Sequence, residues 1–425
     1  MSKNYKWFVV GMLWLICFFN YADRQALSAL LPLLEKEMHL TPVQLGWLTA
    51  AFAWVYGLSA PFTGNIADRI KRRTAILGGL QAWSIVCALT AAAANFAQLV
   101  SFRAIIGLGE SIYYPAAMSL LSDYHGKETR SRVMGIHQTG VYIGTIAGSF
   151  FAGLIGQYYG WRLSFVVFGG LGIVLGLFMM KALIEPERGA ADLADLGAKP
   201  DAHLAKSMPV KEFMKVIWGT PTVLLLMSAF MCANFVALVV LSWMPKFLYD
   251  KFHLSLAGAG LTATLYIQLA SMVGCPLGGY LADILRKRTP GGRIAIQGFG
   301  VLLGAPFVLL CGETETFGWL IVSLIAWGLF KGFYDANIFA SVYDVIRPEA
   351  RGTAAGFMNA IGWIGGGLAP VIIGYIAQGS SLSYAISITA VVYVIAAALL
   401  FCGVFFTVKR DAARMEAQLA AEARA

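Results

Sequence analysis

The sequence predicts an all-α membrane protein with twelve transmembrane helices in two pseudo-symmetric six-helix bundles, and three observations carry this prediction. The 425-residue chain is 58% hydrophobic and only 13% charged, whereas soluble globular domains contain about 25% charged residues. Its apolar stretches approach the ~20 residues that a helix needs to cross a bilayer. The second half of the chain also repeats glycines and charged residues of the first half.

The apolar stretches define the predicted spans and the division of the chain. One long polar insert follows the sixth span, and we interpret it as a linker. We therefore expect an N-terminal bundle over 1–184, a cytoplasmic linker over 185–215, and a C-terminal bundle with a cytoplasmic tail over 216–425. The predicted spans are roughly 7–31, 44–66, 75–95, 99–123, 133–156, 163–184, 217–247, 257–284, 294–312, 317–346, 352–377 and 382–408.

The basic residues lie in alternate connections between the spans. Because Lys and Arg concentrate on the cytoplasmic side of membrane proteins, these connections are expected to be cytoplasmic, as are both termini. The net charge of +9 is explained in the same way, so we expect no nucleic-acid partner. The basic residues concerned are Arg69, Lys71, Arg72, Arg73, Lys127, Arg130, Arg132, Arg286, Lys287, Arg288, Arg293, Arg347 and Arg351.

Enzymatic functions find little support in the sequence. There is no Walker-type phosphate loop, no His-Glu-x-x-His and no Cys-x-x-Cys pair. The six cysteines lie mainly in apolar stretches and are interpreted as small buried residues rather than as metal ligands. We therefore expect no enzyme activity, no cofactor and no metal. We also expect the protein to be a monomer in the inner (plasma) membrane.

An internal repeat indicates a transporter. An offset of 221 residues aligns Gly107 with Gly328, and four further pairs follow the same offset. Duplicated six-helix halves are typical of secondary transporters, whose substrate site lies between the repeats near the middle of the membrane. The same offset places Glu110 opposite Lys331, so we expect the two halves to have different roles. The further pairs are Asp123 and Asp344, Gly135 and Gly356, Gly144 and Gly365, and Gly153 and Gly374.

Four charged residues lie inside the first and fourth predicted spans. Arg103 and Glu110 are seven positions apart and share one helix face. Charges in membrane helices are costly and usually face a cavity or a partner. Asp23 and Arg24 are neighbours, about 100° apart around a helix, so one can bind a proton while the other contacts a substrate. The alternative is a structural ion-pair network among all four.

Two motifs resemble known transporter families. The stretch from Gly64 to Arg73 carries Gly-x-x-x-Asp and a basic cluster, and it is similar to the loop between the second and third helices of the major facilitator superfamily. Lys71 replaces that family's second glycine, and a degenerate copy runs from Gly279 to Arg288. The stretch Asn20-Tyr21-Ala22-Asp23-Arg24, with Gly107-x-x-Glu110-x-x-x-x-Pro115, resembles the anion:cation symporter family. Spinster-like lipid transporters share the Asp-Arg and Gly-x-Gly-Glu patterns.

The resemblance implies a major facilitator fold and proton-coupled symport of a small organic anion by alternating access, with protons as the coupling ion. A sugar acid or other monocarboxylate is the expected substrate, and a lysophospholipid or other amphiphile is the alternative. The family associates the helix 1 arginine, here Arg24, with the substrate carboxylate, which the planar guanidinium suits. It associates the two acids, here Asp23 and Glu110, with protons.

Other candidates are less specific. Tyr56, Arg103, Gln138, Asn337 and Asn359 are predicted to bind substrate, although buried amides also form ordinary interhelical hydrogen bonds. His137 is a further candidate for proton transfer, and Lys331 is spaced to pair with Asp335 on one helix. From the two basic loops, Asp68, Arg69 and Asp283 are predicted to take part in gating.

Overall fold

The computed structural model describes residues 3–126, 128–186, 210–347 and 350–422. Every regular element in these ranges is helical, which confirms the all-α prediction. Ten of the helices are long and apolar enough to cross a membrane by length and composition. The second and third predicted spans are also helices, of 28 and 19 residues.

The described part of the first half forms seven helices. The fourth predicted span is broken at Ile112, which separates two helices that the hydropathy pattern cannot distinguish. The second helix begins with a capping box, because Thr41 and Gln44 exchange side chain to backbone hydrogen bonds and Pro42 follows. The helices are α1 Lys3–Met38, α2 Pro42–Arg69, α3 Arg72–Thr90, α4 Phe96–Ser111, α5 Tyr113–Tyr124, α6 Arg130–Tyr159 and α7 Trp161–Ala182.

Within the described residues, the second half forms ten α-helices and one π-helical turn. A short helix ends at Gly219 before Pro221 begins the seventh span, so this span starts later than the predicted 217. Residues 187–209 of the predicted linker lie outside the described residues. The helices are α8 Val210–Gly219, α9 Pro221–Phe252, α10 Leu256–Arg286, α11 Gly292–Glu313, α12 Phe317–Asp335, α13 Ile338–Tyr343, α14 Arg351–Gly379, α15 Leu382–Ser387, α16 Thr389–Cys402 and α17 Val408–Glu422, with the π-helical turn at Gly403–Thr407.

The chain divides into two compact units. Unit 1 contains residues 1–204 and 241–264, and unit 2 contains residues 205–240 and 265–425. Helix α9 thus contributes its first part to unit 2 and its last part to unit 1. Within unit 1, α1 packs on α6, α2 on α4 and α3 on α7, while α11 packs on α12 and α16 within unit 2.

Within unit 1, the end of α9 is tied to α1 by charge, and the start of α10 is tied to α6 by close backbone packing. Lys246 donates to Glu35 on α1 and, at 2.7 Å, to Asp250 one turn along. A Cβ atom on Gly153 would lie only 2.5 Å from the carbonyl oxygen of Leu256. A glycine is therefore required where these two segments meet.

The internal repeat is visible as repeated contacts. Arg72 pairs with Asp123 in unit 1, and Arg293 donates to Asp344 at 3.0 Å in unit 2. Both members of this pair follow the 221-residue offset, and the sequence analysis matched only the aspartates. The paired glycines also share a function, because a Cβ would lie 2.7 Å from the Phe52 carbonyl at Gly107 and 2.6 Å from the Ile267 carbonyl at Gly328.

Candidate functional site

Helices α1, α2 and α4 bring the predicted charged residues of unit 1 together. Asp23 is 1% exposed, Arg103 is 2% exposed and Glu110 is fully buried. Burying isolated charges in an apolar interior is very costly, so such groups are stable only as a mutually compensating set. We call Asp23, Arg24, Arg103 and Glu110 the charge cluster.

The direct ion pair of the charge cluster joins α1 to α4. Arg24 Nε donates to Glu110 Oε2 at 2.5 Å, with only 10% of the Arg24 side chain exposed. Asn20, one turn before Arg24 on α1, lies beside the Glu110 carboxylate. The sequence placed Arg103 on the same helix face as Glu110, but the contact at hydrogen-bond distance comes from Arg24.

Aromatic rings surround the Arg24 guanidinium. Its Cζ lies 4.6 Å from the ring centre of Tyr56, 4.7 Å from that of Tyr21 and 5.0 Å from that of Phe52. Cation–π contacts of this kind stabilise the cation and hold the guanidinium plane in place. Tyr56, a predicted binding residue, therefore helps to orient Arg24.

Asp23 lies in the same cluster without a strong hydrogen bond. Both carboxylate oxygens are buried, and within the described part of the chain no donor reaches them with full hydrogen-bond geometry. The Cys87 thiol lies beside the carboxylate, and Arg103 and Glu110 act on it electrostatically. Asp23 is thus an acid whose charge state depends on the residues around it.

Arg103 contacts the Phe52 ring, which also contacts Arg24. Its Cζ lies 4.9 Å from the centre of Phe52, and the carboxylates of Glu110 and Asp23 attract its positive charge. The charge cluster therefore contains two arginines and two carboxylates, which sum to zero when all are ionised. An added carboxylate would leave one excess negative charge, unless one acid took up a proton.

The remaining unit 1 candidates lie on α6. Gln138 is half-buried. His137 is buried, and its Nε2 lies 2.9 Å from the Tyr113 hydroxyl, which donates to the Leu13 carbonyl at 2.7 Å. The hydroxyl has one hydrogen, so it accepts from His137. This chain of bonds joins α6, α5 and α1.

The two asparagines predicted in unit 2 have different surroundings. Asn337 is buried, and its amide donates to the carbonyls of Phe333 at 3.0 Å and Gly278 at 3.3 Å. These bonds connect Asn337, which lies at the break between α12 and α13, to the end of α12 and to α10. Asn359 is exposed and donates to the Ala355 carbonyl at 3.1 Å. Their role in binding stays a prediction.

The predicted gating residues lie at the ends of α2 and α10. Asp283 accepts from Arg293 at 2.8 Å. Arg69 is exposed in the last turn of α2, and the side chain of Asp68 lies outside the described part of the structure. The contact of Asp283 connects it to the repeated Arg293–Asp344 pair.

Sequence reasoning missed three residues of the site. Phe52 contacts both arginines, and four-residue spacing from Tyr56 on α2 is the signal that places the two rings on one face. Asn20 and Tyr21 belong to the Asn20–Arg24 motif, but the motif alone assigned them no role. Tyr21 lies near Arg24 because the two are three positions apart on α1, whereas the position of Asn20 beside Glu110 on α4 depends on tertiary structure.

Comparison with known proteins gives concordant results. The family model described as Major Facilitator Superfamily matches residues 13–311 and 291–424. A probable galactarate/D-glucarate transporter of Bacillus subtilis is 27% identical over 400 residues, covering 89% of this chain and 87% of the relative. The hexuronate transporter of the same organism is 24% identical, covering 87% of each. Protein spinster of Drosophila melanogaster is 27% identical, covering 88% of this chain and 62% of the relative.

A solved structure shows the same fold. It is the crystal structure of a bacterial homolog to the human lysosomal transporter spinster, in an inward-facing and unoccupied conformation. The TM-score is 0.83, with 22% identity, and the match covers 96% of this chain and 99% of that one. These relatives are transporters and not enzymes.

Proposed function

Because the chain belongs to the Major Facilitator Superfamily, we propose that it is a proton-coupled symporter which carries a small organic anion across a membrane by alternating access. A sugar acid or other monocarboxylate is the proposed substrate class. The observation that carries the proposal is the buried pair of Arg24 and Glu110 beside a second buried acid, Asp23. Protons are the proposed coupling ion, with no cofactor.

Arg24 is the proposed ligand of the substrate carboxylate. Arginine binds carboxylates through paired, charge-assisted hydrogen bonds. The rings of Tyr21, Phe52 and Tyr56 hold its plane, so little ordering is needed when a substrate arrives. A substrate carboxylate that binds Arg24 would compete with Glu110 for the same guanidinium.

This competition supplies the proposed coupling. When Glu110 loses Arg24, a buried carboxylate without its counter-ion is left in an apolar span, where a charge is costly. Uptake of a proton by Glu110 or Asp23 restores neutrality in the charge cluster. Substrate binding and proton binding therefore favour each other, as symport requires.

The relatives support the substrate class. The probable galactarate/D-glucarate transporter and the hexuronate transporter carry names of sugar acids. Their matches extend over most of both chains, so both halves of the transporter are included. A sugar acid combines a carboxylate for Arg24 with hydroxyl groups for polar residues such as Gln138.

The second candidate function is transport of a lysophospholipid or other amphiphile. The similarity to protein spinster and to its bacterial homolog favours it. Both candidate substrates carry a negatively charged group, so the presence of Arg24 does not distinguish between them. The length and polarity of the molecule that stabilises the protein distinguish a sugar acid from an amphiphile.

A ligand screen tests the proposal. Purified protein is heated with a panel of sugar acids, neutral sugars and lysophospholipids, and its melting temperature is measured. We expect sugar acids to raise the melting temperature, and neutral sugars of the same size to leave it unchanged. Stabilisation by lysophospholipids alone would contradict the sugar-acid proposal and support the spinster-type alternative.

The proposed cellular arrangement follows from the charged connections. We place the protein in the inner (plasma) membrane as a monomer, with both termini and the 185–215 linker in the cytoplasm. The bilayer and the small organic anion are the proposed partners.

A further inference from the structure

A small polar cavity lies inside unit 2, and none of its lining residues belongs to the charge cluster. Its volume is about 50 Å³, and its lining includes Asn234, Ala237, Lys331, Tyr334 and Asp335. Lys331 lies in the middle of an apolar span, where a cation is costly unless it has a partner or a function. The positive charge of Lys331 beside this cavity therefore requires a partner or a function.

Asp335 is one partner of the Lys331 cation. Lys331 Nζ donates to Asp335 Oδ2, one turn along the same helix. An ammonium group has three hydrogens, and within the described part of the chain Asp335 is the only acceptor that Nζ reaches. The side chains are 17% and 27% exposed. Because both residues belong to α12, the pair fastens no second helix, and Nζ retains donors for another acceptor.

The internal repeat shows which residues are equivalent around this cavity. Helices α1 and α9 end 214 positions apart, and the next residues, His39 and His253, both have positive φ, at 51° and 53°. Helices α4 and α12 are related by the 221-residue offset, because Gly107 of α4 packs against α2 as Gly328 of α12 packs against α10. These registers make Asn20 equivalent to Asn234, Asp23 to Ala237 and Glu110 to Lys331.

The equivalent positions differ in one informative way. In unit 1, the position beside Asn20 and Glu110 carries the carboxylate of Asp23, which interacts with Glu110 and Arg103. In unit 2, the same position carries only the methyl group of Ala237, and the charge at the Glu110 position is positive. The cavity therefore lies where unit 1 has a carboxylate, and it lies beside a cation.

The volume and lining fit a carboxylate. A single water needs about 10–15 Å³ by the same measure, so 50 Å³ holds a carboxylate group but not a whole sugar acid. Asn234 uses one amide hydrogen for the Phe230 carbonyl at 3.1 Å, which leaves its second hydrogen as a donor. Lys331 supplies the charge.

We propose that this cavity is a carboxylate-binding subsite in which Lys331 pairs with an acidic group of the substrate. The inference rests on the proposed function: among the small organic anions it selects sugar acids that carry a second carboxylate, in place of monocarboxylates. Asp335 then serves as the resident counter-ion that keeps Lys331 paired when the subsite is empty.

The test compares D-glucarate with D-gluconate, which have the same carbon skeleton and differ by one terminal carboxylate. Each competes against uptake of labelled D-glucarate into proteoliposomes. Wild type should prefer glucarate. Lys331→Met should weaken glucarate competition about tenfold or more with little change for gluconate, and Lys331→Arg should retain part of the preference. Lys409→Met makes the same change at an exposed lysine and should behave as wild type.

A second variant keeps the test independent of the folding of Lys331→Met. Ala237→Asp places in unit 2 the carboxylate that Asp23 provides in unit 1, so it should fill the subsite and remove the preference for glucarate. An unchanged glucarate-to-gluconate ratio in both variants, or in Ala237→Asp if Lys331→Met does not fold, overturns the subsite and leaves the proposed function standing. If neither acid is bound or transported by wild type, the proposed function fails and the subsite fails with it.

Discussion

Arg24 and Glu110 form a buried ion pair that joins α1 to α4, with Nε and Oε2 2.5 Å apart. Truncating one member of such a pair leaves the other as an uncompensated buried charge, at a cost of about 3–5 kcal/mol. The geometry also makes the pair exchangeable, because a substrate carboxylate can take the place of Glu110 on the guanidinium. The predictions below separate these two roles.

Arg24→Lys should retain the fold and lose most transport. The positive charge remains available to Glu110, but the planar fork and its stacking on the Tyr21 and Tyr56 rings are lost. We expect at least about a tenfold loss of affinity, measured as the ligand concentration that half-stabilises the purified protein against heat. Arg288→Lys makes the same change at an exposed arginine after α10 and is the control. Wild-type affinity in Arg24→Lys would remove Arg24 from the binding site.

Arg72→Ala should destabilise the protein through Asp123. The Asp123 carboxylate is largely buried against Arg72, and loss of Arg72 removes the guanidinium that compensates this buried charge, at a cost of about 3–5 kcal/mol. The melting temperature should fall clearly, and the double variant Arg72→Ala with Asp123→Ala should recover part of the loss. Additive losses in the double variant would show that the two residues do not depend on each other.

The linker should be accessible only from the cytoplasm. In a cysteine-free background, Ala190→Cys should react with a membrane-impermeant maleimide only after the cells are opened, because basic connections stay inside. Thr316→Cys, in a connection poor in Lys and Arg, should react in intact cells. Labelling of Ala190→Cys from outside would contradict the proposed topology.

The sequence identified the members of the charge cluster but not its contacts. Helical spacing places Arg103 and Glu110 on one face, yet it does not show which neighbouring helix crosses there. Arg24 is the residue that pairs with Glu110, because its long side chain reaches from α1 to the Glu110 carboxylate on α4. The sequence does not identify Phe52 either, because its role depends on tertiary contacts with both arginines.

The internal repeat was only partly predictable from the sequence, because its register changes along the chain. Aligning Gly64–Arg73 with Gly279–Arg288 places Arg72 opposite Lys287, whereas the equivalent contact is made by Arg293. Helix α10 and the loop after it are longer than α2 and its loop, so the register changes between them. The breaks at Ile112 and after Asp335 were missed because both sides of each break are apolar enough to extend one span.

The central claim is that Glu110 couples transport to protons. Glu110→Gln resembles the protonated acid and cannot release a proton, although it retains an oxygen that accepts from Arg24. It should therefore still bind substrate and exchange labelled for unlabelled substrate across a vesicle membrane. It should fail to concentrate substrate when a pH gradient is imposed.

The most direct measurement is the ratio of gradient-driven uptake to exchange, in proteoliposomes that contain equal amounts of wild type or Glu110→Gln. If Glu110 is the coupling acid, Glu110→Gln should show exchange close to wild type and gradient-driven uptake reduced to the level of vesicles without a pH gradient. A purely structural Glu110 predicts that both rates and the melting temperature fall together. Uphill uptake by Glu110→Gln with the wild-type pH dependence would contradict the coupling role and leave Asp23 as the coupling acid.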